Sequence, residues 1–160
     1  MRRTEDVMGM PVTIDVRDGD TDLAPVYQEL RRIDELFSTF KPDSEICRIN
    51  DGRLALAAAG PEVHEVLALC DTYEARTGGF FSARRDGALD PSGLVKGWAI
   101  ARAAAMLDAR DHRSYFVDAG GDVQTRGSSG GSEPWRVGIR HPIERGSFVR
   151  VVLDRGMGEC

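Results

Sequence analysis

From Leu23 to Phe40 apolar residues recur every three or four positions, and this period commits the chain to a long amphipathic helix soon after its start. Leu23, Val26, Tyr27, Leu30, Ile33, Leu36, Phe37 and Phe40 fall on one face of that helix. Thr21 or Asp22 can cap it, and Lys41-Pro42-Asp43 ends it. Ser44 caps a short second helix, SEICRIN. Gly60-Pro61 opens a third, with Val63, Val66, Leu67, Cys70 and Tyr73 as its buried stripe and Gly78-Gly79 as its stop. The segment DPSGLVKGWAIARAAAML, Asp90 to Leu107, reads as a fourth. Beyond it the pattern turns strand-like in Ser114–Ala119, Trp135–Arg140 and Ser147–Leu153, matched near the start by Met10–Arg17. The stretch Arg126-GSSGGSE between them reads as a flexible hairpin loop. Helices and strands are mixed throughout, which predicts an α/β or α+β fold around one sheet, with the strand order open.

A chain of 160 residues with 41% hydrophobic and 29% charged residues fits one soluble globular domain. The formal net charge of −5 argues against nucleic acid as the main partner, because neutralising phosphates requires a basic surface. No apolar run approaches the roughly 20 residues of a membrane helix, so no membrane segment is expected. The opening MRRTEDVMGMPVTIDV has no apolar stretch of the kind a secretory signal carries. Cys47, Cys70 and Cys160 are odd in number and lack C-x-x-C spacing, which fits a reducing compartment and predicts a cytoplasmic protein.

Chemistry concentrates in three places. With Ser92 as N-cap, Lys96 falls in the first turn of the fourth helix or just after it. The backbone N–H groups and the positive end of the helix dipole already lie there, so a lysine is mildly unfavourable unless an anion is near. Gly97 directly behind it costs up to about 1 kcal/mol against alanine, yet allows a ligand or another chain close to the backbone. Cap, lysine and glycine together have the logic of an oxyanion site; a surface lysine with Gly97 packed on a strand is the plainer alternative. The second place is Asp118-Ala-Gly-Gly-Asp122, either a turn with two solvated aspartates or a contact for a metal or ribose hydroxyls. The third is Gly78-Gly79-Phe80-Phe81-Ser82, whose aromatics either stack a planar ligand or enter the core as a strand. His64, His112 and His141 have no Cys, Asp or His partner at nucleophile or metal spacing.

Taken in order, these pieces resemble the FAD:protein FMN transferase family, the ApbE-type flavin transferases once named thiamine-biosynthesis lipoproteins. The matching segments are Met8-Gly9-Met10, FSTFKPDSEICRIN, TGGFFS, LDPSGLVKGWAIARAAAML, FVDAGGDVQTRG and PWRVGIRHP. They cover nearly the whole chain from Met8 onward. The resemblance implies an α+β fold, one domain over residues 1–160 with a mostly antiparallel sheet and packed helices of the ApbE (T-fold-like) type. It implies FAD as substrate, Mg²⁺ at its pyrophosphate, and an acceptor protein whose Thr or Ser hydroxyl receives FMN. By the same resemblance Asp90 and Lys96 contact FAD, Phe80, Phe81 and Ser82 form a strip beside the flavin, and Met8 and Phe40 are further flavin-side positions. Gly93 would offer a backbone carbonyl to the metal.

The chain also departs from the family pattern. Met10 stands where Thr is usual, Ser82 where Asp is usual and Phe40 where Tyr is usual. The pattern would continue past Gly156-Met-Gly-Glu-Cys160 with a Thr-Ser-Gly segment, a His-x-x-Asp-Pro segment and an Asp plus Thr for the metal. The expectation is therefore a chain lacking that metal-site segment: a transferase, or alternatively a catalytically impaired FAD-binding module or gene fragment of one.

Overall fold

The computed structural model describes residues 1–144 and 146–154; the Gly156–Cys160 stretch, Cys160 included, lies outside the described residues. The fold is α+β. Its elements run β1 (Arg2–Val7), β2 (Met10–Val16), α1 (Ala24–Phe37), α2 (Glu45–Asn50), a 3₁₀ turn (Leu56–Ala58) and α3 (Pro61–Arg76). After these come β3 (Arg84–Arg85), β4 (Ala88–Leu89), α4 (Ser92–Asp108), β5 (Tyr115–Ala119), β6 (Asp122–Arg126), β7 (Trp135–Arg140) and β8 (Phe148–Asp154). Every strand pair is antiparallel. Among the described residues the expected single sheet is instead three: four strands in the order β1-β2-β5-β6, and the pairs β3-β4 and β7-β8. The chain divides into two compact units, residues 28–99 and the remainder.

In the unit formed by both chain ends, alternation decides which sheet face is buried. Val12, Ile14 and Val16 of β2 register with Ala119, Val117 and Tyr115 of β5, and all six are buried. Each large side chain so buried contributes roughly 1.5–3 kcal/mol. Tyr115 donates its hydroxyl to Ala104 O and Asp108 Oδ1, both at 3.0 Å. Tyr27 donates to Arg3 O and Val12 O at 2.7 and 3.1 Å, tying residues 24–27 to the β1–β2 hairpin. The GSSGGSE stretch joins β6 to β7, which belong to different sheets, so it is a crossover and not the tip of a hairpin.

In residues 28–99 the helical spacing yields a core of Leu30, Ile33, Phe37, Ile46, Val63, Val66 and Cys70. Ser44 caps α2: its hydroxyl accepts from Cys47 N at 3.0 Å and donates to Ser38 O at 2.6 Å. Gly60 and Pro61 open α3 as expected. Of the expected apolar faces Leu36 is only half-buried, and two members are exposed. Tyr73 is 40% exposed, and Phe40 is 94% exposed because α1 stops at Phe37. Ser38 causes that stop, its hydroxyl accepting the N–H groups of Phe40 and Lys41 at 3.1 and 3.2 Å. Asn50 binds the backbone of Leu89 from both sides, donating to its O at 2.9 Å and accepting from its N at 2.7 Å. That clamp holds the chain just before α4. Phe37 and Trp98 meet edge to face at 5.6 Å, and Trp98 Nε1 donates to Glu65 at 3.1 Å.

Candidate functional site

A tight hairpin brings the TGGFFS strip to the start of α4. Asp86 and Gly87 both adopt positive φ, 51° and 84°, as the two-residue turn between β3 and β4 requires. Arg84 registers with Leu89, and Asp90 N donates to Ala83 O at 2.8 Å. The chain thus leaves Phe81-Ser82-Ala83 and returns at once to Asp90-Pro91-Ser92. Phe81 is half-buried against Gly93, where a Cβ would come within 3.1 Å of the ring. Gly93 is small because the ring lies there. Phe81 N donates to Thr77 Oγ1 at 3.1 Å, which anchors the strip to the end of α3. These residues form no strand, so the reading of Phe80-Phe81 as a strand entering the core fails. Ala83, 2% exposed, is the residue that enters it, and Phe80 is 99% exposed.

The helix start differs from the expected one in its cap. Asp90, not Ser92, supplies the side chain: Asp90 Oδ1 accepts from Ser92 N at 3.1 Å. The Pro91 carbonyl takes the first helical hydrogen bonds, from Leu94 at 2.9 Å and Val95 at 3.0 Å. Ser92 is therefore the first helical residue and Lys96 the fifth, one turn in and half-buried. Helical side chains lean back toward the N-terminus, so Lys96 keeps its reach toward the helix start. A Cβ added at Gly97 would meet nothing within 4 Å; the alternative in which Gly97 packs on a strand is not seen.

The remaining predicted residues are placed as follows. Ser82 Oγ is engaged in its own turn, accepting from Arg84 N at 3.1 Å and lying 3.1 Å from Glu74 Oε2. Phe40 follows α1 in the same unit. Met8, half-buried, sits with φ 54° in the Met8-Gly9 turn between β1 and β2 and belongs to the other unit. Asp118-Ala-Gly-Gly-Asp122 is the β5–β6 hairpin, with Gly120 and Gly121 at φ 58° and 101° and Asp118 Oδ1 accepting from Gly121 N at 2.9 Å.

A hard divalent cation takes about six oxygen ligands, commonly including carboxylates. Among the described residues no three His, Cys, Asp or Glu side chains group for a metal. Gly93, second in α4, directs its carbonyl along the helix axis into the helix's own hydrogen-bond ladder. The described residues by themselves do not supply a magnesium site.

Two features escaped the sequence reading. A cavity of about 780 Å³ lies between β7-β8 and the outer face of the four-stranded sheet, lined by Thr13, Phe116, Asp118, Trp135, Arg136 and Arg140 among others. Of the candidate residues only the Asp118-Ala-Gly-Gly-Asp122 turn reaches it, through Asp118, Gly120 and Gly121, and none of the expected FAD contacts does; the rest of its lining comes largely from the PWRVGIRHP segment. The second is His112, buried, with Nδ1 3.0 Å from Asp18 Oδ1. No helix among the described residues is long and apolar enough to cross a membrane.

Comparison with known proteins gives one consistent result. A family model described as ApbE family matches residues 8–85 and 81–157. The FAD:protein FMN transferase of Rhodobacter capsulatus is 44% identical over 68 residues, 42% of this chain and 13% of that protein. That of Klebsiella pneumoniae is 32% identical over 66 residues, 41% of this chain and 19% of that protein. The match thus spans less than a fifth of either curated relative. Among solved structures, the ApbE protein of Thermotoga maritima superposes with a TM-score of 0.84 at 18% identity, over 98% of this chain and 68% of that one. A mutant flavin transferase ApbE from Vibrio cholerae gives 0.79 at 18% identity, over 96% and 70%. The apo flavinyl transferase ApbE of Pseudomonas stutzeri gives 0.78 at 21%, over 96% and 65%. At these identities the structures speak to the fold.

Proposed function

The chain belongs to the ApbE family, and from that premise we propose that it serves flavin transfer, moving FMN from FAD to a Thr or Ser hydroxyl of an acceptor protein. In that reaction the acceptor oxygen bonds to the phosphorus on the FMN side of the pyrophosphate. The bond from that phosphorus to the bridging oxygen breaks, AMP leaves with the bridging oxygen, and the hydroxyl proton is released. Catalysis of such a step is largely positioning and charge neutralisation.

The observation that carries the reading is the seating of Phe81 against Gly93 at the Asp90-capped start of α4. A planar aromatic surface and the positive end of a 17-residue helix then lie on one short stretch of structure. Phe81 and the exposed Phe80 would stack the isoalloxazine. Lys96 would meet the pyrophosphate, with Gly97 leaving the backbone open beside it. Asp90 would hold the helix entrance while contacting FAD, and Phe40 and Ser82 would border the flavin; Met8 is a flavin-side position by the family resemblance alone. Magnesium is expected at the pyrophosphate from the family, but the described residues do not make its site and no step is routed through it.

The test is incubation of the chain with FAD, Mg²⁺ and an acceptor peptide carrying Thr or Ser, read by mass spectrometry and by release of AMP. Calorimetry with FAD is run alongside on the wild type and on Lys96→Ala. Covalent FMN on the peptide supports transfer. FAD binding that is lost in Lys96→Ala, without any mass shift, leaves a flavin-nucleotide binding module. No heat of binding with FAD sinks both readings.

A further inference from the structure

Leu89 is the last strand residue before the entrance of α4, and both of its backbone hydrogen-bonding groups point away from its own hairpin. Arg85 and Ala88 close the two-residue turn, and Asp90 N donates to Ala83 O at 2.8 Å. The pair between them, Arg84 and Leu89, is therefore of the kind that exchanges no hydrogen bonds. The Leu89 N–H and C=O face outward, to the side where a third strand would lie. Among the described residues β4 pairs with β3 alone, and the place of that strand is taken by Asn50, the last residue of α2. Asn50 Nδ2 donates to Leu89 O at 2.9 Å, and Asn50 Oδ1 accepts from Leu89 N at 2.7 Å. A carboxamide carries the donor and acceptor of a peptide unit, so one side chain satisfies both groups.

The consequence falls on the next residue. The Leu89 carbonyl and the Asp90 N–H belong to one planar peptide unit. Asn50 holds its carbonyl edge and Ala83 O holds its N–H edge. A plane pinned on both edges fixes the Asp90 Cα at its corner. The bond from Ser92 N to Asp90 Oδ1 then sets the carboxylate across the helix entrance. Leu89 is buried, but Asn50 is exposed. What Asn50 contributes is thus its amide and not its volume, and replacing it opens no cavity in the core.

We infer that Asn50 is a positioning residue of the flavin-nucleotide site, acting through the Leu89–Asp90 peptide to hold the Asp90 carboxylate where FAD meets it. This inference rests on the reading of Asp90 as an FAD contact.

Calorimetry with FAD and circular dichroism melts on the full 160-residue chain test it. The variants are Asn50→Asp, Asn50→Gln, Asp90→Asn and the double variant Asn50→Asp with Asp90→Asn. Aspartate keeps the size and the acceptor, but at neutral pH it offers Leu89 O no donor. Glutamine adds no charge and keeps both groups one methylene farther out, so the backbone stays satisfied while the peptide shifts. Each Asn50 variant is expected to weaken FAD binding about fivefold or more, and Asn50→Asp to cost less than about twofold once Asp90 is asparagine, because coupled residues are not additive. Ile46→Val, a core truncation on the same helix, lowers the melting temperature and leaves FAD affinity at the wild-type value. If Asn50→Asp does not fold, Asn50→Gln decides. Wild-type FAD affinity in the folded Asn50 variants overturns the inference. So does an Asn50→Asp loss of the same size with and without the Asp90 carboxylate, or an equal loss in Ile46→Val. A wild type that gives no heat with FAD sinks the flavin-transfer reading and this inference together; a wild type that binds beside indifferent Asn50 variants sinks this inference alone.

Discussion

Asp18 and His112 stand 94 positions apart in sequence, yet His112 Nδ1 lies 3.0 Å from Asp18 Oδ1, while Asp18 Oδ2 accepts the backbone N–H groups of Arg113 and Ser114. One carboxylate therefore clips the turn after β2 to the loop between α4 and β5. Burial alone would raise the Asp18 pKa, but the Arg113 N–H, the His112 ring and the Ser114 N–H together outweigh it and hold the carboxyl below its ordinary value. A carboxyl with a lower pKa in the folded than in the unfolded chain stabilises fully above the unfolded value, near 4, and loses that contribution as pH falls through the folded value. Asp18→Ala should cost about 1–2 kcal/mol at neutral pH, the range for removing the acceptor of several hydrogen bonds. The gap between variant and wild type should narrow in melts taken progressively below pH 4. A pH-independent gap would mean that the clip is steric and not electrostatic.

Cys70 offers a test of the core in residues 28–99. It is 1% exposed on α3, and burial, followed by the nearby charges of Asp71 and Glu74, pushes its thiol up to about 11. The reactive thiolate is therefore scarce at pH 8, and the sulfur is also shielded. Iodoacetamide at that pH should leave Cys70 unmodified in the native chain and label it rapidly in denaturant, as read by peptide mass spectrometry. Fast labelling of Cys70 without denaturant would show that α3 is not packed as described.

The elements that could be read from sequence are those whose signal is local. The α1 and α3 stripes repeat over several turns, and Ser44 and Gly60-Pro61 mark the starts of α2 and α3 with side chains and dihedrals that need no distant partner. β1 could not be read because Arg2–Val7 holds a single apolar residue, Val7; it is a charged edge strand, recognisable only from its pairing with β2. Phe40 kept the helical spacing, but Ser38 ends α1 first, a competition between a side-chain turn and an apolar period that spacing does not reveal. At the candidate site, the strip and the helix start were each legible, while their union was not. It depends on the Asp86-Gly87 turn, a two-residue hairpin signal between strands of only two residues each, too short to show an alternating pattern. The Asp18–His112 clip had no sequence signal at all, since nothing local relates two residues so far apart.

Gly97 separates stability from binding. A Cβ there meets no atom within 4 Å, so Gly97→Ala should gain the helix propensity difference, up to about 1 kcal/mol, and raise the melting temperature. If the open backbone at Gly97 receives the FAD pyrophosphate, the same methyl group should weaken FAD binding in calorimetry. A variant that is more stable and binds FAD as well as wild type would remove Gly97 from the site while leaving the helix intact.

Asp90 is the sharpest case, because its structural and proposed ligand roles rest on different properties of one side chain. As a cap, it needs only an oxygen to accept Ser92 N–H, and asparagine supplies one; alanine does not. Asp90→Asn should therefore melt within a few tenths of a kcal/mol of wild type, whereas Asp90→Ala should lose about 1 kcal/mol. As an FAD contact, the carboxylate accepts hydrogen bonds with a full negative charge, and charge-assisted bonds are roughly twice as strong as neutral ones. Asp90→Asn should then weaken FAD binding about tenfold, a loss of about 1.4 kcal/mol, despite its unchanged melt. Equal FAD affinity in the asparagine variant and the wild type would confine Asp90 to capping α4. A melt of Asp90→Asn as low as that of Asp90→Ala would show instead that the charge, and not the acceptor, holds the helix start.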